Sequence, residues 1–151
     1  MRAVVQRVRS ASVRIDEDTV GEIGAGLLVL LGVGIGDGEI EASWIARKIA
    51  RLRIFPDDRG RMNLDVSQID GGILLVSQFT LYGDARQGNR PGFSEAAPPA
   101  EAAPLIDLVA DRIRGHGIHV ETGRFRSSML VSLENDGPVT ILLDTETSQA
   151  E

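Results

Sequence analysis

The sequence predicts one compact α/β domain, a mostly antiparallel sheet carrying two main helices. Three observations lead there. The first 34 residues alternate polar and apolar side chains in the manner of strands. Two later segments, Glu39–Phe55 and Pro99–Arg114, repeat apolar residues at helical spacing. No internal repeat or interior linker divides the 151 residues, a length typical of one domain. With 42% apolar and 25% charged residues, wholesale disorder is excluded.

The elements follow in order. Ala3, Val5, Arg7 and Arg9 alternate with Val4, Gln6, Val8 and Ser10, and Val13 and Ile15 continue the strand. Asp16-Glu17-Asp18 makes a hairpin turn into Val20–Ile23. Leu27–Leu31 is apolar on both faces, as expected of a central, fully buried strand. Gly32-Val33-Gly34-Ile35-Gly36-Asp37-Gly38 lacks both G-x-G-x-x-G and the lysine of a phosphate loop, so it reads as a strand-to-helix turn.

In the first helix Trp44, Ile45, Ile49 and Leu52 define the buried face, and Asp37 is the expected cap. Glu39 and Glu41 suit the positive end of that helix. Arg47, Lys48, Arg51 and Arg53 suit the negative end. Together with Arg59 and Arg61 these cations form the densest basic cluster of the chain. It is either a solvated helix face or a contact for an RNA backbone.

Pro56–Gly60 is a turn, and Ile73–Val76 a second buried strand running into Ser77-Gln78-Phe79-Thr80-Leu81. Tyr82–Pro99 is a long loop, a length that favours function over mere connection. Leu105, Ile106, Val109 and Ile113 form the stripe of the second helix, and Gly115 stops it. Ile118–Val120 is a short strand. Met129–Leu133 and Val139–Leu143 alternate cleanly around Glu134–Pro138, which has the chemistry of a hairpin turn. The domain is expected over residues 1–145, with a flexible C-terminal tail over 146–151.

The residue inventory narrows the chemistry. The absence of cysteine removes disulfides, thiol catalysis and zinc–thiolate sites. A net charge of −6, from 22 acidic and 16 basic residues, excludes a broad basic coat for nucleic acid; phosphate contacts need a local patch. No G-x-S-x-G elbow is present. His116 and His119 have no third-ligand motif and read as a loop and a strand histidine, so neither a metal nor a cofactor is expected. Met1–Ser10 has no apolar signal core and Leu27–Leu31 is too short to span a bilayer. A cytoplasmic location without a membrane partner is the expectation.

Two segments put polar groups where packing would otherwise continue. Ser77-Gln78-Phe79-Thr80-Leu81 closes a buried strand and offers hydroxyls, an amide and backbone N–H groups to a carbonyl or a ribose. Asn135-Asp136-Gly137-Pro138-Val139-Thr140 contains a Gly-Pro step whose isomer the sequence leaves open. Composition alone reads the first as a structural strand end and the second as a tight turn.

Together, in order and at their spacing, these segments resemble the D-aminoacyl-tRNA deacylases of the D-tyrosyl-tRNA deacylase family. The resemblance covers nearly the whole chain. It includes Val5-Gln6-Arg7-Val8, Gly26–Val33, Arg53-Ile54-Phe55, Met62-Asn63-Leu64, Arg90-Pro91, Phe93-Ser94 and Thr122-Gly123-Arg124-Phe125. It implies a homodimer of a compact β-barrel-like α/β domain that hydrolyses the ester of D-aminoacyl-tRNA and of mischarged glycyl-tRNA. The partner is the tRNA acceptor end, not DNA. Ser77, Gln78, Phe79 and Thr80 would line the catalytic pocket, and Phe125, Met129 and Asn135 would bind substrate. Gly137 and Pro138 would reach into the pocket of the other subunit as a Gly-cisPro element and reject L-amino acids. Thr80 could act through its side chain, or through backbone N–H groups that form an oxyanion hole. Arg126-Ser127-Ser128 departs from the small and acidic residues usual in the family. Two alternatives stay open: a module that binds tRNA ends without hydrolysis, and an L-selective paralogue.

Overall fold

The sheet is laid around β1 (Arg2–Ile15). The computed structural model describes residues 1–148. The first half of β1 pairs antiparallel with β3 (Gly26–Gly32), and its second half with β2 (Asp18–Ile23). β8 (Leu130–Asp144) runs antiparallel along the opposite edge of β1. β3 pairs in parallel with β6 (Gly72–Ser77), and β6 in parallel with β7 (His119–Thr122). Parallel neighbours need crossovers. α1 (Glu39–Arg51) lies on the β3–β6 connection and α2 (Pro99–Arg114) on the β6–β7 connection. The antiparallel character expected from sequence therefore holds around β1, and two strand–helix–strand passages add the parallel half.

The sheet curls into a nearly closed barrel with both faces buried. On the helix side Leu27, Val29, Leu31, Ile73 and Leu75 pack with Ile45 and Ile49 of α1 and with Ile106, Val109 and Ile113 of α2. On the inner side Leu28, Leu74 and Val76 meet Val8, Val13 and Ile23. The doubly apolar runs of β3 and β6 are thus explained, because alternate side chains serve two cores.

Four local expectations change. α1 ends at Arg51 rather than Phe55. Phe55 precedes Pro56, which disfavours helix, and pairs as β4 (Phe55–Pro56) with β5 (Met62–Leu64) around the turn. Asp37 does not cap α1. Its carboxylate accepts the Gly34 N–H at 2.6 Å and lies 2.7 Å from the α-amino group of Met1. Glu41 reaches back to the Gly38 N–H instead, at 2.8 Å.

Glu134–Pro138 is no hairpin. Both flanks pair with β1, and Asp136–Val139 bulge out opposite the single residue Arg7. Beyond Asp144, Thr145–Ser148 form one helical turn, α3, whose buried Thr145 donates its N–H to the Met1 carbonyl at 3.0 Å. The remainder of the expected tail, residues 149–151, lies outside the described residues.

Candidate active site

A cleft of about 560 Å³ opens at the carboxyl ends of the parallel strands β3 and β6. That is where parallel sheets commonly bind ligands, because side chains and backbone N–H groups emerge there from packed strands. Leu31, Val33 and Val76 form its floor, and Pro99, Ala102 and Ile106 of α2 one wall. Ser77, Gln78 and Phe79 form the facing wall, and Phe125–Met129 line the mouth.

The chain turns sharply after β6. Gln78 donates its N–H to the Leu31 carbonyl at 2.8 Å, and Phe79–Tyr82 form a 3-10 turn. Within it Gly83 N–H reaches the Thr80 carbonyl at 2.9 Å, and Leu81 N–H the Gln78 carbonyl at 3.2 Å. The first N–H groups of such a turn, those of Phe79 and Thr80, have no acceptor within it. A glycine of the strand-to-helix turn makes this arrangement possible. A Cβ at Gly34 would sit 2.7 Å from the Tyr82 hydroxyl oxygen, so only glycine lets the buried Tyr82 ring seat against the end of β3. Burial, together with the nearby Asp37 carboxylate, pushes the Tyr82 phenol well above its ordinary range, so it stays protonated.

The predicted residues fall into three groups. Ser77, Gln78, Phe79, Phe125 and Met129 line the cleft together. The Phe79 ring is 59% exposed and meets Phe93 edge to face at 5.1 Å, an apolar platform left open to a ligand. Thr80 stands just outside the lining; its hydroxyl accepts a hydrogen bond from the Gln78 side-chain amide. Asn135, Gly137 and Pro138 do not line this cleft.

Those three sit on the Asp136–Val139 bulge, where the Gly137–Pro138 peptide is cis. Asn135 ties the bulge shut. Its Oδ1 accepts the Val139 N–H at 2.7 Å, and its Nδ2 donates to the Val139 carbonyl at 3.3 Å. Arg7, only 13% exposed at its side chain, braces the bulge from below. Its Nε donates to the Asp136 carbonyl at 2.9 Å and its Nη1 to the Ile54 carbonyl at 2.6 Å. Gly137 and Pro138 themselves are exposed.

The chemistry of the lining is unusual for a hydrolase. Among the described residues, Arg126 is the one titratable side chain that lines the cleft, and no carboxylate, histidine, lysine or tyrosine does so. Among the described residues, no cluster of three potential metal ligands occurs. The long loop holds an ordinary ion pair of its own. Asp84 accepts both arms of Arg86, at 2.9 and 2.7 Å, which pulls its carboxyl down to about 2.

Sequence reasoning missed Arg7, the first turn of α2 and Phe93 as parts of this construction. Arg7 carried a signal, a cation inside an otherwise apolar strand. The α2 residues carried none, because their place depends on a crossover.

A family model described as D-Tyr-tRNA(Tyr) deacylase matches residues 4–144. A protein of Desulfitobacterium hafniense (strain DSM 10664 / DCB-2), called D-aminoacyl-tRNA deacylase, is 56% identical over 146 residues, covering 97% of this chain and 98% of that protein. A solved structure described as c-Myc DNA unwinding element binding protein is 38% identical at a TM-score of 0.90, over 96% of this chain and 99% of its own. A structure described as a probable eukaryotic D-amino acid tRNA deacylase shares the fold at 15% identity and a TM-score of 0.82, over 94% of this chain and 97% of its own.

Proposed function

The chain belongs to the D-Tyr-tRNA(Tyr) deacylase family, and we infer that it is a D-aminoacyl-tRNA deacylase, hydrolysing the ester between a D-amino acid and tRNA. The observation that carries the mechanism is a cleft whose described lining holds no side-chain base and which is bordered by a 3-10 turn whose first N–H groups have no acceptor within the turn.

Water attacks the ester carbonyl carbon, and the N–H groups of Phe79 and Thr80 receive the developing oxyanion. The tetrahedral intermediate collapses, the bond to the ribose oxygen breaks, and that oxygen takes up a proton. With no base among the lining residues described, the 2′-hydroxyl of the terminal ribose orients the water and relays its proton: the hydroxyl oxygen takes the proton from water while its own hydrogen passes to the departing ribose oxygen. Phe79 and Phe125 offer flat apolar surface to the terminal base or the amino-acid side chain, and Met129 fills irregular space beside it.

D selection needs a wall rather than a contact, since D and L forms share every substituent. Gly137 and Pro138 stand away from the cleft of their own chain, exposed on a bulge braced by Arg7 and Asn135. This favours a homodimer in which Gly137 of the partner subunit and Pro138 of the partner subunit close the cleft. Rigid backbone on that side clashes with an L side chain, admits a D side chain pointing elsewhere, and admits glycine, which has none. Asn135 then serves selection through the bulge rather than by lining the cleft. The substrate supports a cytoplasmic location, and among the described residues no helix is long and apolar enough to cross a membrane.

The test is deacylation of D-tyrosyl-, L-tyrosyl- and glycyl-tRNA by the purified protein, with sedimentation to fix its oligomeric state. A dimer that cleaves the D and glycyl esters and spares the L ester is expected. Preferential cleavage of the L ester would give the L-selective reading, and hydrolysis of none the binding module.

A further inference from the structure

The basic cluster on α1 and the β4–β5 hairpin is not absorbed by this mechanism. Arg47, Lys48, Arg51, Arg53, Arg59 and Arg61 are all exposed in a protein whose net charge is −6. Asp65 lies 3.7 Å from Arg51 and Asp57 3.6 Å from Arg61, which partly neutralises two of them. Arg53 holds only the carbonyl and side-chain oxygens of Asn63. Arg47, Lys48 and Arg59 have no carboxylate partner among the described residues; Lys48 rests 5.4 Å from the Trp44 ring centre. The dipole of α1 accounts for cations in its last turn, but its influence fades within a turn. Arg53, Arg59 and Arg61 lie beyond the helix end at Arg51. A surplus of exposed cations is left over.

Their position gives the surplus a use. Arg7 holds the Gly137–Pro138 bulge with one arm and the Ile54 carbonyl with another, and Ile54 is the chain neighbour of Arg53. Arg7 therefore ties the bulge to the segment that joins α1 to the β4–β5 hairpin, the two elements that carry the cluster.

We propose that Arg47, Lys48 and Arg59 bind the phosphate backbone of the tRNA acceptor arm, and that they do so for the cleft of the partner subunit, not for their own. This rests on the in-trans reading of the bulge. A bulge that enters the partner cleft carries the cluster to the mouth of that cleft, where RNA beyond the terminal nucleotide must pass. Each chain then supplies selection and RNA grip to the other's chemistry. The overall negative charge keeps the grip local.

The test compares wild type with Arg47→Glu/Lys48→Glu/Arg59→Glu on two substrates, D-tyrosyl-tRNA and D-tyrosyl-adenosine. For the tRNA, KM rises about tenfold or more with kcat held. The salt slope of log(kcat/KM) becomes shallower by about 0.7–0.9 for each phosphate that the protein no longer neutralises. Kinetics on the adenosine ester stay at wild-type values, which also certifies the fold. An unchanged KM and salt slope for tRNA overturn the proposal, as does an equal loss on both substrates. Failure of wild type to hydrolyse either substrate overturns the deacylase reading instead.

Co-expression with a chain whose cleft is filled by Ser77→Trp, and which is inactive alone, decides the in-trans part. The mixed dimer joins an intact cleft to an intact cluster on the opposite chain. Recovery of wild-type KM for tRNA supports the proposal, and no recovery overturns it.

Discussion

Replacing Gly34 by alanine tests how the site is built. The added Cβ would lie 2.7 Å from the Tyr82 Oη and 2.8 Å from ring atoms Cε1 and Cζ. Ordinary carbon contacts begin near ~3.5 Å, so ring and strand must part by about 0.7 Å. Tyr82 is 3% exposed and has Arg2 4.4 Å from its ring centre, so it has little room to retreat. Overpacking of this kind costs about 1–3 kcal/mol. In a domain of this size that lowers the melting temperature by about 2–10 °C. The functional cost is larger in proportion. Tyr82 ends the 3-10 turn that begins at Phe79, so its displacement moves the N–H groups of Phe79 and Thr80. Misplacing a catalytic group by 1 Å costs roughly 100-fold, and a 10- to 100-fold loss is expected here. Single-turnover deacylation of D-tyrosyl-tRNA and thermal melting read the two effects. Gly24→Ala is the control, because nothing lies within 4 Å of its added Cβ. Tyr82→Leu in the Gly34→Ala background should restore part of the lost rate. Wild-type melting and rate in Gly34→Ala would refute the steric argument.

Other outcomes follow from the same geometry. Thr80→Ala should keep deacylation within about tenfold of wild type, because the backbone N–H and not the hydroxyl receives the oxyanion; near-complete loss in a folded protein contradicts this. A 2′-deoxy terminal adenosine should slow cleavage by about 100-fold or more, the low end of acid–base contributions. Equal rates with and without that hydroxyl would return the search to a protein base. Arg7→Met removes both charge-assisted bonds to the Asp136 and Ile54 carbonyls while keeping much of the side-chain volume. The loosened bulge should raise cleavage of L- relative to D-tyrosyl-tRNA by about tenfold, read by parallel deacylation time courses.

Acid stability isolates one carboxylate. Burial raises the Asp65 carboxyl, but the Ser67 hydroxyl at 2.6 Å and the N–H groups of Ser67 and Gln68 overcome it and hold the group below its ordinary 3.8. A depressed folded pKa stabilises the protein above the unfolded value, and this is lost as pH falls through the folded one. As pH falls from the unfolded value of 3.8 through the lower folded one, the wild type should lose more unfolding free energy than Asp65→Asn, measured by urea titration. Parallel losses would rule the linkage out.

Much of the fold was legible because periodicity is local. β3 and β6 announced themselves by apolar residues at consecutive positions, and α2 by a stripe that the structure reproduces from Pro99 to Arg114. The errors have one cause. Asp37, Phe55 and Glu134–Pro138 were each assigned by local preference, and each was overruled by a partner distant in sequence or across a turn: the Met1 amino group, Leu64, and β1. A bulge and a hairpin turn share Asn, Asp, Gly and Pro, and only pairing on both flanks tells them apart.

The sequence by itself determined the class of fold, the polar break after Val76 and the Gly-Pro step, since these are written in neighbouring residues. Tertiary structure decided what those segments face. It set the Phe79 and Thr80 N–H groups at the end of a parallel pair, because crossovers bring β3 and β6 side by side. It emptied the cleft of carboxylates and put Arg126 at its mouth, and it stood Gly137–Pro138 away from that cleft on a bulge held by Arg7. Such placements depend on contacts between residues far apart in the chain, and no window of sequence contains them.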